Sequence, residues 1–404
     1  MREKETVPFA NAEFDLAGIQ SALRDHQIDG WLFYDHHYRD PLAYRILRLG
    51  GELHVTRRWF YFIPAEGEPS KLVHRIESGR LDTLPGKKAV YSSWQELEVR
   101  VAELTSGATK IAMQYSPRNA IMYVSMVDAG TVEMVRGLGK EVVSSADLVS
   151  QFEAVLNDDQ IATHFVAQEK IDAVLDAAWK EIGRRVRAGG THEFAMVEFL
   201  AEAMGREGLV WEHGPNVSVG ENSADSHYEP TVVSSKPIRK GDFVLIDIWG
   251  KLNRPDACYY DITWTGVVDR EPTVREQMVF ETVRNARDAA IELVQQAFAV
   301  GRPIAGWEAD DTARKVIAAA GMKEWFTHRT GHNIGVELHG NGANLDNLET
   351  HDERLILPKT CFSVEPGVYF PGEFGIRSEV DMIALPGSAK VTGRVQTELV
   401  RIGA

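Results

Sequence analysis

The chain has 404 residues, with 44 Lys plus Arg against 59 Asp plus Glu. The resulting net charge of −15 argues against a nucleic-acid partner, which calls for a basic surface. No apolar run approaches the roughly 20 residues of a membrane span, and Met1-Arg2-Glu3-Lys4-Glu5 lacks the pattern of a signal peptide.

The length exceeds one ordinary core, so two domains are expected, at residues 1–152 and 153–404. The two cysteines, Cys258 and Cys361, offer no disulfide framework and read as buried free thiols. Together these features lead to the expectation of a cytoplasmic protein.

The first 150 or so residues alternate helix-like and strand-like segments, which favours an α/β layer structure. A helical pattern over Phe14 to Gln27 precedes the apolar run Trp31 to Tyr34. Strand-like runs follow at Arg58 to Pro64, Lys71 to Ile76 and Lys110 to Gln114, with a helix predicted over Ser93 to Leu104. His36, His37 and His54 read as surface or structural residues.

From Glu153 the pattern changes. Ile161, Phe165, Ile171, Val174, Ala178, Ile182 and Val186 recur at helical spacing. Gly189-Gly190 should end that helix, and Thr191 is expected to cap the next. Further helices are predicted over Thr191 to Arg206, Thr273 to Phe298 and Asp310 to Ala320.

Two predicted hairpins each carry two carboxylates. Phe243-Val244-Leu245-Ile246 leads into Asp247, and the strand-like run Cys258 to Val268 contains Asp261. The turn-rich Asn253-Arg254-Pro255-Asp256 lies between them, so a symmetric hairpin would set Asp247 opposite Asp261. Likewise Thr360 to Phe370 carries Glu365, Ile376 to Ile383 carries Glu379, and Pro371-Gly372-Glu373 separates them. Opposed acids on apolar strands are destabilising unless a cation compensates them. One such pair reads as incidental, whereas two with matching geometry favour metal. Thr330-Gly331-His332-Asn333-Ile334-Gly335 places His332 between glycines, where close backbone approach is easy, and His339 follows. Four carboxylates and an imidazole suit two divalent ions; Mn²⁺, Co²⁺ and Zn²⁺ are all possible, and oxygen-rich ligation leans toward Mn²⁺.

These segments resemble the pita-bread metallopeptidases: Xaa-Pro dipeptidase (prolidase), Xaa-Pro aminopeptidase and methionine aminopeptidase. The matching residues are Leu245-Ile246-Asp247, Tyr260 to Thr263, His328 to His332, Phe362 to Tyr369 and Gly375 to Glu379, in the family's order. The resemblance implies an α/β N-terminal domain followed by an α+β pita-bread catalytic domain, the creatinase-like two-domain plan. It implies that Asp247 binds one metal, that His332 and Glu365 bind the other, and that Asp261 and Glu379 bridge them. Glu365 would also take the proton from the attacking water. His227 and His339 match substrate-contacting histidines. Arg377 matches an arginine near the site, which would fix a ligand carboxylate or receive one from the substrate.

The implied function is cleavage of peptide bonds next to proline, as dipeptidase or aminopeptidase, by attack of a metal-bridging hydroxide. A homodimer acting on short peptides is implied by analogy. Four positions depart from the family pattern: Trp249, Trp264, Asn333 and Gly340. Trp249 and Trp264 could reshape the pocket wall. They motivate a second reading, a dinuclear hydrolase or lyase acting on a small non-peptide metabolite. A third, an inactive binding module, sits poorly with five retained ligands.

Overall fold

The computed structural model describes residues 14–50 and 54–403. Contacts divide the chain into two compact units, one ending at Glu153 and the other beginning at Ala154.

The first unit is built on a six-stranded mixed sheet. Its central strands, Gly30–Asp35 and Trp59–Pro64, pair antiparallel along their whole length. Both faces of the sheet are covered. Trp31, Phe33, Trp59 and Tyr61 enter one apolar cluster, and Leu32, Tyr34, Phe60 and Phe62 enter the other. That double burial is why these strands read as continuous apolar runs rather than alternating ones. The Leu16–Asp25 helix starts where Asp15 accepts a bond from Gly18 N (2.8 Å). The Trp94–Leu104 helix starts on a capping box of Ser93 and Glu96.

The second unit opens with the 30-residue helix Asp158–Arg187, capped by Asn157 and Gln160. It ends where Gly189 and Gly190 take positive φ (120° and 116°). The cap expected at Thr191 is not formed. Thr191 instead pairs with Ile238 in a short ladder, and the next helix, Glu193–Arg206, begins without a side-chain cap. The long helix lays Ile171, Leu175, Ala178 and Ile182 against Val244, Ile246, Ile248 and Ile262. Those residues belong to the Phe243–Leu252 and Tyr260–Val268 strands. On the other side of the unit, Val274–Ala299 and Gly306–Ala319 cover the second set of strands, through Val279, Val283, Ala309, Phe362, Val380 and Met382.

Those later strands form two separate ladders, not one long hairpin. Cys361–Val364 pairs with Val380–Leu385, and Gly367–Phe370 pairs with Phe374–Arg377. The predicted runs are interrupted at Glu365-Pro366 and Ser378-Glu379. Pro366 has no N–H to give a ladder. Glu365 N turns to Thr330 O (2.7 Å) and Glu379 N to Thr263 O (3.1 Å). Both ladders nevertheless keep the same register about Gly372. Glu365 and Glu379 therefore fall at equivalent places in the gap between them.

The earlier hairpin is less symmetric than expected. Asp247 pairs with Thr263, and Asp261 pairs with Trp249. The two aspartates are diagonal neighbours on one face, not directly opposed. The seven residues 253–259 between the strands do not force a symmetric closure.

Candidate metal centre

The two sheets of the second unit meet through their acids. Asp261 N donates to Asp381 Oδ2 (2.9 Å), and Thr263 Oγ1 donates to Glu379 Oε2 (2.6 Å). Asp261, His332 and Glu379 each offer one ligand atom, all within 4.8 Å of one another, and all three residues are buried.

His332 is positioned by close backbone packing. A Cβ on Gly331 would lie 2.0 Å from Ser363 O, so only glycine permits this approach. Ser363 Oγ accepts from His332 N (2.9 Å) and donates to Glu365 Oε1 (3.0 Å). His332 Nδ1 faces Asn333 O at 3.2 Å. A carbonyl can only accept, so Nδ1 carries the proton and Nε2 keeps its lone pair. Nε2 lies 3.4 Å from Glu365 Oε1 and 3.8 Å from Asp261 Oδ2. Burial, with His339 and Arg329 nearby, holds the imidazole neutral, well below the ordinary histidine range.

Asp247 is tied directly to Arg377 Nη2. Arg377 is itself buried and fully engaged: Nε donates to Thr263 Oγ1 (3.0 Å) and Nη1 to Tyr369 OH (3.0 Å). Of the two roles open to it from sequence, the geometry is that of an arginine fixing an acid of the site. Tyr369 OH also meets His328 Nε2 at 2.7 Å. Burial, opposed by its own neighbour Arg377, still raises the Tyr369 phenol to about 12.

The acids suffer from one another. Burial, then Asp247, Asp381 and Glu365, push Asp261 well above the carboxylate range. Burial, then Asp261, Glu365 and Asp247, do the same to Glu379. Glu365 is raised to about 7, chiefly by burial, against the pull of Arg377 and Arg329. Asp261 Oδ1 is buried with no hydrogen-bond partner among the described residues. An orphaned carboxylate oxygen beside a neutral imidazole lone pair and a second acid fits a divalent cation, which would reverse the mutual repulsion.

His339 packs edge-on against the His332 ring, with centroids 4.3 Å apart. Its side chain reaches solvent, yet the surrounding protein, with Arg329 and His227 nearby, holds it at about 4. His227 is exposed and outside the tight cluster; its backbone N donates to Asp225 Oδ1 (3.1 Å).

The four departures separate cleanly. Trp249 shares the face of Asp247 and Asp261 and pairs with Asp261. Trp264 lies on the opposite face, against the long-helix cluster, with Arg394 over its ring at 5.1 Å. Trp264 therefore does not belong to the pocket wall, as alternation along a strand requires. Asn333 and Gly340 are in contact with each other.

Glu193 carries no sequence signal of a functional role. This buried residue accepts from Val219 N (2.7 Å), Asn222 Nδ2 (2.9 Å), Tyr228 OH (2.8 Å) and Lys236 N (2.8 Å). It thereby organises the loop that carries His227. In sequence it is only an acid at a helix start, a common and favourable place. Asp381 and Tyr369 were equally silent.

Residues 166–384 match the model of metallopeptidase family M24. The probable dipeptidase PepE of Mycobacterium tuberculosis is 26% identical over 343 residues, covering 84% of each chain. The Xaa-Pro dipeptidase of Pyrococcus furiosus is 28% identical over 263 residues, 65% of this chain and 69% of that one. Among solved structures, dipeptidase PepE of Mycobacterium ulcerans superposes with a TM-score of 0.69 at 23% identity, over 96% of both chains. The prolidase of Thermococcus sibiricus gives 0.62 at 21%, over 97% of this chain and 100% of that one. The structural likenesses establish the pita-bread fold, and the match across more than half of the sequence establishes the enzyme class: this chain belongs to metallopeptidase family M24.

Proposed function

We propose that the enzyme cleaves short peptides at the bond next to proline, and that Asp247, Asp261, His332, Glu365 and Glu379 hold two divalent ions, Mn²⁺ by preference. The observation that carries the metal reading is the orphaned, buried Asp261 Oδ1 within reach of His332 and Glu379. When bound, such ions acidify water and polarise the scissile carbonyl. Oxygen-rich ligation favours Mn²⁺ over softer ions. Proline specificity rests on the likeness to Xaa-Pro dipeptidases.

The chain's own residues divide the remaining work. The Glu365 carboxylate, held by its bond from Ser363 Oγ (3.0 Å), takes a proton from the attacking water. Arg377 and Thr263 orient Asp247 and Glu379 and take no part in proton transfer. His339, held neutral beside His332, donates a hydrogen bond to the substrate carbonyl oxygen as charge develops there. His227 reaches the substrate from the loop that Glu193 anchors. A cytoplasmic homodimer belongs to the same reading and rests on the resemblance alone. Among the described residues no helix is long and apolar enough to cross a membrane.

Hydrolysis of Ala-Pro and of Ala-Pro-Xaa tests substrate choice. Activity lost to chelator and restored by Mn²⁺ is expected on one of them. A metal-loaded, folded enzyme inert on both, but active on a dipeptide without proline, would overturn the proline assignment.

A further inference from the structure

The chain has only two cysteines, and they come from different hairpins, yet they meet. Cys258 ends the turn before the Tyr260–Val268 strand, and Cys361 opens the Cys361–Val364 strand. His164, from the second turn of the long helix, joins them. All three are buried, and one ligand atom from each lies within 4.8 Å of the others. We propose that His164, Cys258 and Cys361 form a second cation site, for a thiophilic divalent ion such as Zn²⁺, distinct from the carboxylate centre.

The spacing suits that chemistry. Cys361 Sγ lies 3.8 Å from His164 Nδ1. A tetrahedral ion with ordinary Zn–S and Zn–N lengths needs a separation of about 3.5 Å. Two thiolates neutralise a dication, so the interior carries no net charge from the site. A main-chain oxygen faces the same point: Tyr259 O lies 2.6 Å from His164 Nδ1 and 3.5 Å from Cys258 Sγ. The 2.6 Å contact is a hydrogen-bond length, shorter than the roughly 3.3 Å between two ligand atoms on one tetrahedral ion, so this bond must open as the ion enters.

The imidazole can release Nδ1 for this purpose. Nε2 lies 2.9 Å from Thr392 Oγ1, and the Thr392 hydroxyl is directed at Asp381 O (3.4 Å). Thr392 can therefore accept from Nε2–H while giving its own proton to Asp381 O. Binding then releases one proton from each thiol, moves the imidazole proton from Nδ1 to Nε2 and opens the hydrogen bond between Nδ1 and Tyr259 O.

The test uses full-length protein, reduced and stripped with chelator, titrated with Co²⁺. Thiolate bound to Co²⁺ gives a charge-transfer band in the near ultraviolet, which carboxylate and imidazole ligands cannot produce. The expected result is a band whose saturating intensity corresponds to one thiolate-bound Co²⁺ per chain, whatever the carboxylate centre takes up, and which is lost in Cys361→Ser and persists in Asp261→Asn. Folded wild-type protein without the band at Co²⁺ saturation would overturn the proposal. So would a band of full intensity in Cys361→Ser, and so would a Cys258–Cys361 disulfide in protein isolated with metal present.

Discussion

Asn333 and Gly340 occupy one another's space: a Cβ on residue 340 would lie 2.3 Å from Asn333 Oδ1. Asn333 cannot simply turn aside. Its Oδ1 accepts from Gly342 N (2.9 Å), its Nδ2 donates to Cys361 O (2.8 Å), and its carbonyl accepts from Gly340 N (2.8 Å). Two departures from the family pattern are thus one coupled feature, holding the loop that follows His339 against the strand that follows His332.

Gly340→Ala should therefore cost about 1–3 kcal/mol by overpacking. In an Asn333→Gly background, where the obstructing amide is gone, the added cost should fall below about 1 kcal/mol. Denaturant unfolding of the four proteins measures the difference. Equal costs in both backgrounds would show that the contact does not constrain the loop.

Tyr369 OH links Arg377 to His328, and Arg377 holds Asp247 and Thr263. Tyr369→Phe removes the hydroxyl and leaves the shape. Metal affinity should fall roughly 10- to 100-fold, as for partners that orient ligands from behind. Competition with a chelator reads the affinity, independently of turnover. Unchanged affinity would mean that Asp247 is fixed without this network.

The first unit offers a pH dependence free of the metal site. Burial, with Asp35 adding to it, raises the Asp40 carboxyl from 3.8 to about 8. Its Oδ2 has no hydrogen-bond partner among the described residues, while Oδ1 caps a helix by accepting from Ala43 N (3.0 Å). Between those two pH values the folded chain binds a proton that the unfolded chain has released. The group's stabilising contribution is thus complete below pH 3.8 and is lost as pH rises through 8. Asp40→Asn keeps the cap and cannot titrate. Its stability relative to wild type should climb from about pH 4 to pH 8, with a slope of up to about 1.4 kcal/mol per pH unit. Urea unfolding across that range checks the slope; a flat difference would contradict it.

The two hairpins show why one register was legible and the other was not. The turn of residues 371–373 is short, with Gly372 at φ 77°, and it fixes the pairing on both sides of the break. The turn of residues 253–259 is longer and folds on itself, with Arg254 N on Leu252 O (2.7 Å) and Ala257 N on Arg254 O (3.2 Å). Its internal bonds absorb residues and shift the ladder. The acids still share a face, because a shift of two preserves strand parity. The break at Glu365-Pro366 was written in the proline but was outweighed by the apolar run around it. Glu193 and the meeting of the cysteines depend on partners far along the chain, which no local pattern carries.

Asp261, with His332 and the neighbouring acids, is expected to hold divalent metal. Mn²⁺, which disfavours thiolate, isolates that centre from any sulfur site. Electron paramagnetic resonance of chelator-stripped protein titrated with Mn²⁺ should show uptake of two ions per chain in wild type. Tight uptake should be lost in Asp261→Asn at unchanged circular dichroism. Folded wild-type protein that leaves all Mn²⁺ free, or an Asp261→Asn variant that binds as wild type does, would contradict it.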